Sequence, residues 1–126
     1  MASEAVFQRI HYDPGELILE EGKKGSAAFL IVEGEVEILV GLDSDNPTTL
    51  AVLGPGQVFG EMGLFDDHPN MASVVATHPT DVSALHRKEF QRLLEEMDPV
   101  IRGIMYQVVD RARQMANQLH ELKENK

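Results

Sequence analysis

Short runs of β-favouring residues, broken by Gly, Pro, Asp and Asn about every ten residues, fill the first two-thirds of this chain. Phe7 to Tyr12 reads as a strand, ended by Asp13-Pro14-Gly15. Leu17 to Leu19 reads as a second, ended by Glu21-Gly22-Lys23. Ala28 to Val32 is apolar and turns at Glu33-Gly34. Val36, Ile38 and Val40 alternate with Glu35, Glu37 and Leu39, the pattern of a half-buried strand. Asp43 to Pro47 is a turn cluster, Leu50 to Leu53 follows, and Gly54-Pro55-Gly56 turns the chain again. Met71 to Ala76 and Val82 to Leu85 close the series around His78-Pro79. About eight short strands of this kind predict a double-sheet jelly roll. Its expected core is Phe29, Ile31, Val36, Ile38, Val52, Val74 and Leu85.

After His86 the pattern changes to helix. Phe90, Leu93, Leu94 and Met97 share one face, and Asp98-Pro99 breaks the run. Asp98 is a good N-cap and Pro99 suits a first helical position. The next helix is expected to run towards Leu119. Its residues Ile101, Met105, Val108, Ala112, Met115 and Leu119 alternate in steps of four and three, a heptad seam. Ile104 and Val109 widen the stripe, so part of it should pack on the domain, with the distal part from Ala112 left for a homodimer contact. The predicted organisation is mainly β with C-terminal helices. A β-roll core (double-stranded β-helix) spans 1–86, with a ligand segment at 59–74. Two helices for hinge motion and dimerisation span 87–120, and a frayed polar tail spans 121–126.

A chain of 126 residues suits one domain with a single core, and an apolar fraction of 43% argues against disorder. No apolar stretch is long enough for a membrane span. Met1-Ala2-Ser3-Glu4 lacks the basic and then apolar regions of a signal peptide. The absence of cysteine excludes disulfides, iron–sulfur ligation and thiolate haem ligation. A cytoplasmic location is expected from these features. The net charge is −10, and Lys and Arg cluster after Arg87, interleaved with acids. Nucleic acid usually needs a basic face, so neither nucleic acid nor membrane is an expected partner.

The run Phe59-Gly60-Glu61-Met62-Gly63-Leu64-Phe65, with Pro69-Asn70-Met71-Ala72-Ser73-Val74 after it, carries the most chemistry. Gly60 lets the backbone pass close to a ligand. Met62 to Phe65 can make one helical turn, whose free N–H groups favour an anion. Glu61 cannot bind phosphate but can accept hydrogen bonds from a ribose hydroxyl. These residues resemble the phosphate-binding cassette of the cyclic nucleotide-binding domain family. Tyr12 to Ile18, Glu21-Gly22, Gly25, Phe29 to Val32, Gly34 and Gly54-Pro55-Gly56 also match that family, so the resemblance covers about Phe7 to Leu119.

The resemblance implies a ligand site of Gly60, Glu61, Met62, Asn70, Met71 and Ala72, with Asn117 as the candidate contact to the base or lid. It makes Glu61 the ribose residue. It also puts an arginine after the proline to hold the cyclic phosphate, and here that position is Asn70. A guanidinium suits phosphate because its planar fork meets two oxygens at once. Met71 stands where a small residue is usual, Ser26 where Asp is frequent, and the N-terminus is too short for the helix that often precedes the first strand. From Gly25 to His86 there is no Lys or Arg at all, so a replacement cation would have to come from elsewhere, such as Lys23, Lys24, Arg111 or Arg113. Many relatives carry a helix-turn-helix after the sensor domain. This chain stops short of one, which suggests a sensor without its own DNA reader.

A jelly roll also suits metal-binding cupins. His11, His68, His78, His86 and His120 show no pair at ligand spacing, and Asp66-Asp67-His68 reads as a solvated loop. No nucleophilic triad, GxGxxG or P-loop is present. The expected function is therefore a non-enzymatic regulatory module, with no metal or cofactor, whose cyclic nucleotide binding is weakened or lost. The alternatives are a working sensor of cyclic AMP, cyclic GMP or another small ligand through an atypical pocket, and a cupin-like metal enzyme.

Overall fold

Among the described residues, 7–124 of the computed structural model, eight strands pair into two antiparallel four-stranded sheets. They are β1 Phe7–Tyr12, β2 Leu17–Leu19, β3 Ala27–Glu33, β4 Val36–Val40, β5 Thr48–Leu53, β6 Val58–Phe59, β7 Ser73–Ala76 and β8 Thr80–His86. One sheet has the order β1-β8-β3-β6 and the other β2-β7-β4-β5. Apart from the β4–β5 hairpin, every connection crosses from one sheet to the other, which is the predicted jelly roll.

The core lies between the sheets. Ala27, Phe29, Ile31, Val36, Phe59, Val74, Val82 and Ala84 form one buried cluster, and Phe29 stacks on Phe59 with ring centroids 5.1 Å apart. Each large side chain so buried contributes about 1.5–3 kcal/mol before entropy costs. The polar residues Ser73 and Thr80 are buried as well, and both are bonded. The Glu21 N–H donates to Ser73 Oγ at 3.0 Å, and Thr80 Oγ1 donates to the His78 carbonyl at 2.8 Å.

Two residues of the expected core lie outside it, and one strand departs from simple alternation. On β8 the inward face is Thr80, Val82 and Ala84, so Leu85 points the other way and is only partly covered. On β5 Leu53 packs on the core, and Val52 is 55% exposed. On β4 the pairing with β5 shifts between Ile38 and Leu39. Ile38 is half-buried and packs against the core cluster as expected, while Leu39 is buried too, so the simple alternation fails there.

Two α-helices follow, α1 Arg87–Glu95 and α2 Pro99–Glu124. The Val100 N–H donates to Asp98 Oδ1 at 2.8 Å, so Asp98 caps α2 as its sequence position suggests. The helix continues past Leu119 to Glu124, so the tail expected to fray from Glu121 is helical that far. The last two residues, like residues 1–6, lie outside those described. Compact units divide between Gln91 and Arg92. Along α2 the seam residues Ile101, Val108, Met115 and Leu119 are 55% to 64% exposed, Ala112 is exposed, and Met105 is half-buried. Among the described residues no helix is long and apolar enough to cross a membrane.

Candidate functional site

The cassette segment begins where β6 ends. Gly60 adopts φ +75°, and the chain then makes a single 3-10 turn over Glu61–Leu64. A side chain at Gly60 would be strained twice. Its backbone is left-handed, and a Cβ would stand 3.0 Å from the Ala27 carbonyl oxygen and 3.2 Å from Leu19 Cδ1. The turn closes through Gly63 N–H to the Gly60 carbonyl and Phe65 N–H to the Met62 carbonyl, each 3.1 Å. Buried Leu64 anchors it, Met62 is half-buried, and Glu61 is exposed. The helical turn expected at Met62 to Phe65 is therefore a 3-10 turn starting one residue earlier.

The second half of the segment, Pro69 to Ala72, leads into β7 alongside the loop between β2 and β3. Asn70 bonds to that loop three times. Its N–H donates to the Lys23 carbonyl at 2.8 Å, its carbonyl accepts from Gly22 N–H at 2.9 Å, and its side-chain Nδ2 donates to the Glu20 carbonyl at 3.0 Å. Met71 is 47% exposed and Ala72 is half-buried. The loop is thus the neighbour that both halves of the segment share. Built Cβ positions lie 3.1 Å from the Gly25 carbonyl oxygen at Gly63, and 3.0 Å from Asn70 Oδ1 at Gly25. Asn117 stands apart in sequence, exposed on α2 in the other compact unit.

Sequence reasoning missed Arg87, the first residue of α1. Its Nε donates to the Gly63 carbonyl at 2.7 Å. Its Nη2 donates to the Gly25 carbonyl at 3.0 Å and to the Asp66 carbonyl at 2.6 Å, and its Nη1 pairs with Asp67. The Arg87 hydrogen bond, with its charge next, holds the Asp67 carboxyl below its usual range. Phe65 meets Phe90 of α1 edge-on, with centroids 5.1 Å apart. The only hint of this in the sequence is Asp66-Asp67 in a stretch with no basic residue, and no spacing ties it to Arg87.

The Asp66-Asp67-His68 trio is engaged internally. Asp67 pairs with Arg87, and His68 Nδ1 lies 3.2 Å from Asp66 Oδ1. Among the described residues no three His, Asp or Glu side chains are grouped to hold a metal ion. An open groove of about 590 Å³ lies beside the segment, lined by Leu17, Glu20, Glu21, Leu42, Asp43 and Ser73 among others. Gly60 and Glu61 are not part of its lining. The cassette turn therefore presents an exposed carboxylate beside a close backbone approach. The guanidinium of Arg87, from α1, is directed at carbonyls and Asp67.

Comparison with known proteins places this arrangement. Residues 9–97 match the family model described as the cyclic nucleotide-binding domain. The cyclic AMP receptor protein of Thermus thermophilus is 34% identical over 108 residues, covering 86% of this chain and 50% of that protein. A cAMP-dependent protein kinase regulatory subunit from Colletotrichum orbiculare is 35% identical over 95 residues, covering 75% of this chain and 24% of that one. Among solved structures, the Thermus thermophilus catabolite activator protein superposes with a TM-score of 0.73 at 32% identity, covering 97% of this chain and 57% of that chain. The chain thus spans half the length, or less, of these two curated relatives. Fold, motif and sequence agree that the chain belongs to the cyclic nucleotide-binding domain family, alongside a cyclic AMP receptor and a kinase regulatory subunit.

Proposed function

We propose that this chain is a non-catalytic regulatory module of its family in which cyclic nucleotide binding is weakened or lost. It would act through α2, by self-association or by engaging a partner protein. The observation that carries the reading is Asn70. Where the family pattern has a phosphate-holding arginine, this chain has a neutral amide, and one of its two N–H donors is held by the Glu20 carbonyl. Arg87 is committed to carbonyls and Asp67, and Lys23 Nζ sits 3.5 Å from Glu20 Oε2. A charge-assisted hydrogen bond contributes about 1.5–3 kcal/mol net, with bidentate pairs towards the upper end. About 1.4 kcal/mol is a factor of ten, so affinity should fall by roughly two orders of magnitude.

Titration with cyclic AMP and cyclic GMP at low salt tests this. Millimolar or undetectable binding is expected, and Asn70→Arg should recover part of the affinity. Micromolar binding by the unmodified chain would overturn the reading. Gly60 and exposed Glu61 support a second reading, a sensor of a different or less charged ligand that still offers a hydroxyl to Glu61. The exposed seam on α2 supports the self-association half of the proposal.

A further inference from the structure

We propose that Arg87 is the positioning residue of the ligand site, holding the cassette turn and the β2–β3 loop in one fixed arrangement without touching the ligand itself. The inference deepens the reading of the Gly60–Glu61 turn as a ligand site and rests on it. Two chain segments remote from Arg87 in sequence converge on one planar ion. Gly63 and Asp66 bring carbonyls from the cassette, at 2.7 and 2.6 Å, and Gly25 brings one from the loop at 3.0 Å. The Arg87 backbone N–H adds a bond to the Ser26 carbonyl at 2.7 Å. The guanidinium side chain is only 21% exposed, and Asp67 balances its charge.

This arrangement needs arginine. Its donors leave a rigid plane in several directions, whereas a lysine offers its donors from a single point. The bonds also fix more than the carbonyls. A trans peptide points its N–H opposite its C=O, so the N–H groups of Leu64, Asp67 and Ser26 are oriented by the same contacts. An anion or a hydroxyl meeting the turn would find backbone donors already set. A cassette that keeps its shape without a phosphate-binding arginine is what this staple explains.

Hydrogen–deuterium exchange on the full chain, with no nucleotide present, tests the staple itself. In Arg87→Gln, amides of residues 22–26 and 61–67 should exchange at least tenfold faster, while those of β3 and β8 keep their protection. Unchanged exchange in both segments, or equal loss across the sheets, would overturn the proposal. Should Arg87→Gln fail to fold, Arg87→Lys and Asp67→Ala carry the same test, with smaller increases confined to the same segments. A separate arm uses cyclic AMP with Asn70→Arg. Adding Arg87→Lys should weaken its binding at least tenfold, without rescue by the retained charge. Equal affinity would also overturn the proposal. If Asn70→Arg binds no cyclic AMP at all, the failure belongs to the reading of the site, and exchange alone decides the role of Arg87.

Discussion

The side-chain amide of Asn70 donates at 3.0 Å to the carbonyl of Glu20, in the loop that joins β2 to β3. Asn70 thus serves the fold, whatever its part in ligand binding. Asn70→Ala should cost about 1 kcal/mol, the usual net value of one such bond. Urea denaturation reads this directly, and an unchanged midpoint would show the contact to be energetically idle.

Gly60→Ala should be more damaging. It forces a left-handed backbone on a residue with a Cβ and drives that Cβ towards the Ala27 carbonyl. A cost of about 2 kcal/mol or more is expected. The denaturant slope should stay constant, since the strain is local to the folded state.

The surface of β1 carries a pH response. His11 Nδ1 lies 2.8 Å from Asp81 Oδ1 and Nε2 lies 3.1 Å from Asp13 Oδ1, and both carboxylates favour the charged ring, Asp81 more. The folded pKa is raised above the usual 6.5. The stabilisation is therefore complete below about pH 6.5 and disappears as pH rises through the folded value. Comparing the parent with His11→Gln between pH 5 and 8 should isolate it, because the other histidines cancel in the difference. Asp67 has the opposite sense. Its lowered pKa gives stabilisation present above pH 3.8 and lost as pH falls through the folded value. A difference between parent and His11→Gln that is flat across this range would show that the folded ring titrates normally.

Two aliphatic positions distinguish the observed core from the one expected. Ile31 is 1% exposed and Val52 is 55% exposed. Ile31→Ala should destabilise by about 2–5 kcal/mol and Val52→Ala by about 0.5 kcal/mol or less. Similar losses at both would mean that β5 presents its other face to the core.

The seam on α2 should form a parallel dimer. Met115→Glu combined with Leu119→Glu puts charges among exposed apolar side chains and should release monomers in sedimentation experiments. A parent chain already monomeric at tens of micromolar would end the idea.

The strands were legible because turn residues fall at their ends and apolar residues recur at short range. The cap at Asp98 was legible for the same reason, since its partner Val100 is two residues away. Faces were harder to read. The side-chain period of a strand is two, so choosing Leu85 over Ala84, or Val52 over Leu53, inverts a residue by a single step. The irregularity at Ile38 and Leu39 depends on pairing with β5, which no local pattern encodes. In the site, the cassette residues stand together in one line of sequence and were found there. The bonds from Arg87 to Gly25 and from Asn70 to Glu20 join positions separated by most of a domain, and only the folded topology brings them together.

The contact between positions 25 and 70 makes each a condition on the other. A Cβ at Gly25 would stand 3.0 Å from Asn70 Oδ1, the amide oxygen whose nitrogen partner holds Glu20. A Cβ at position 25 would require the Asn70 amide to shift by a few tenths of an ångström, and a longer side chain at position 70 would compete for the space that Gly25 leaves open. Mutations at the two positions should be strongly epistatic. A substitution at position 70 therefore also resets what position 25 tolerates, and libraries that vary one position alone will misjudge both.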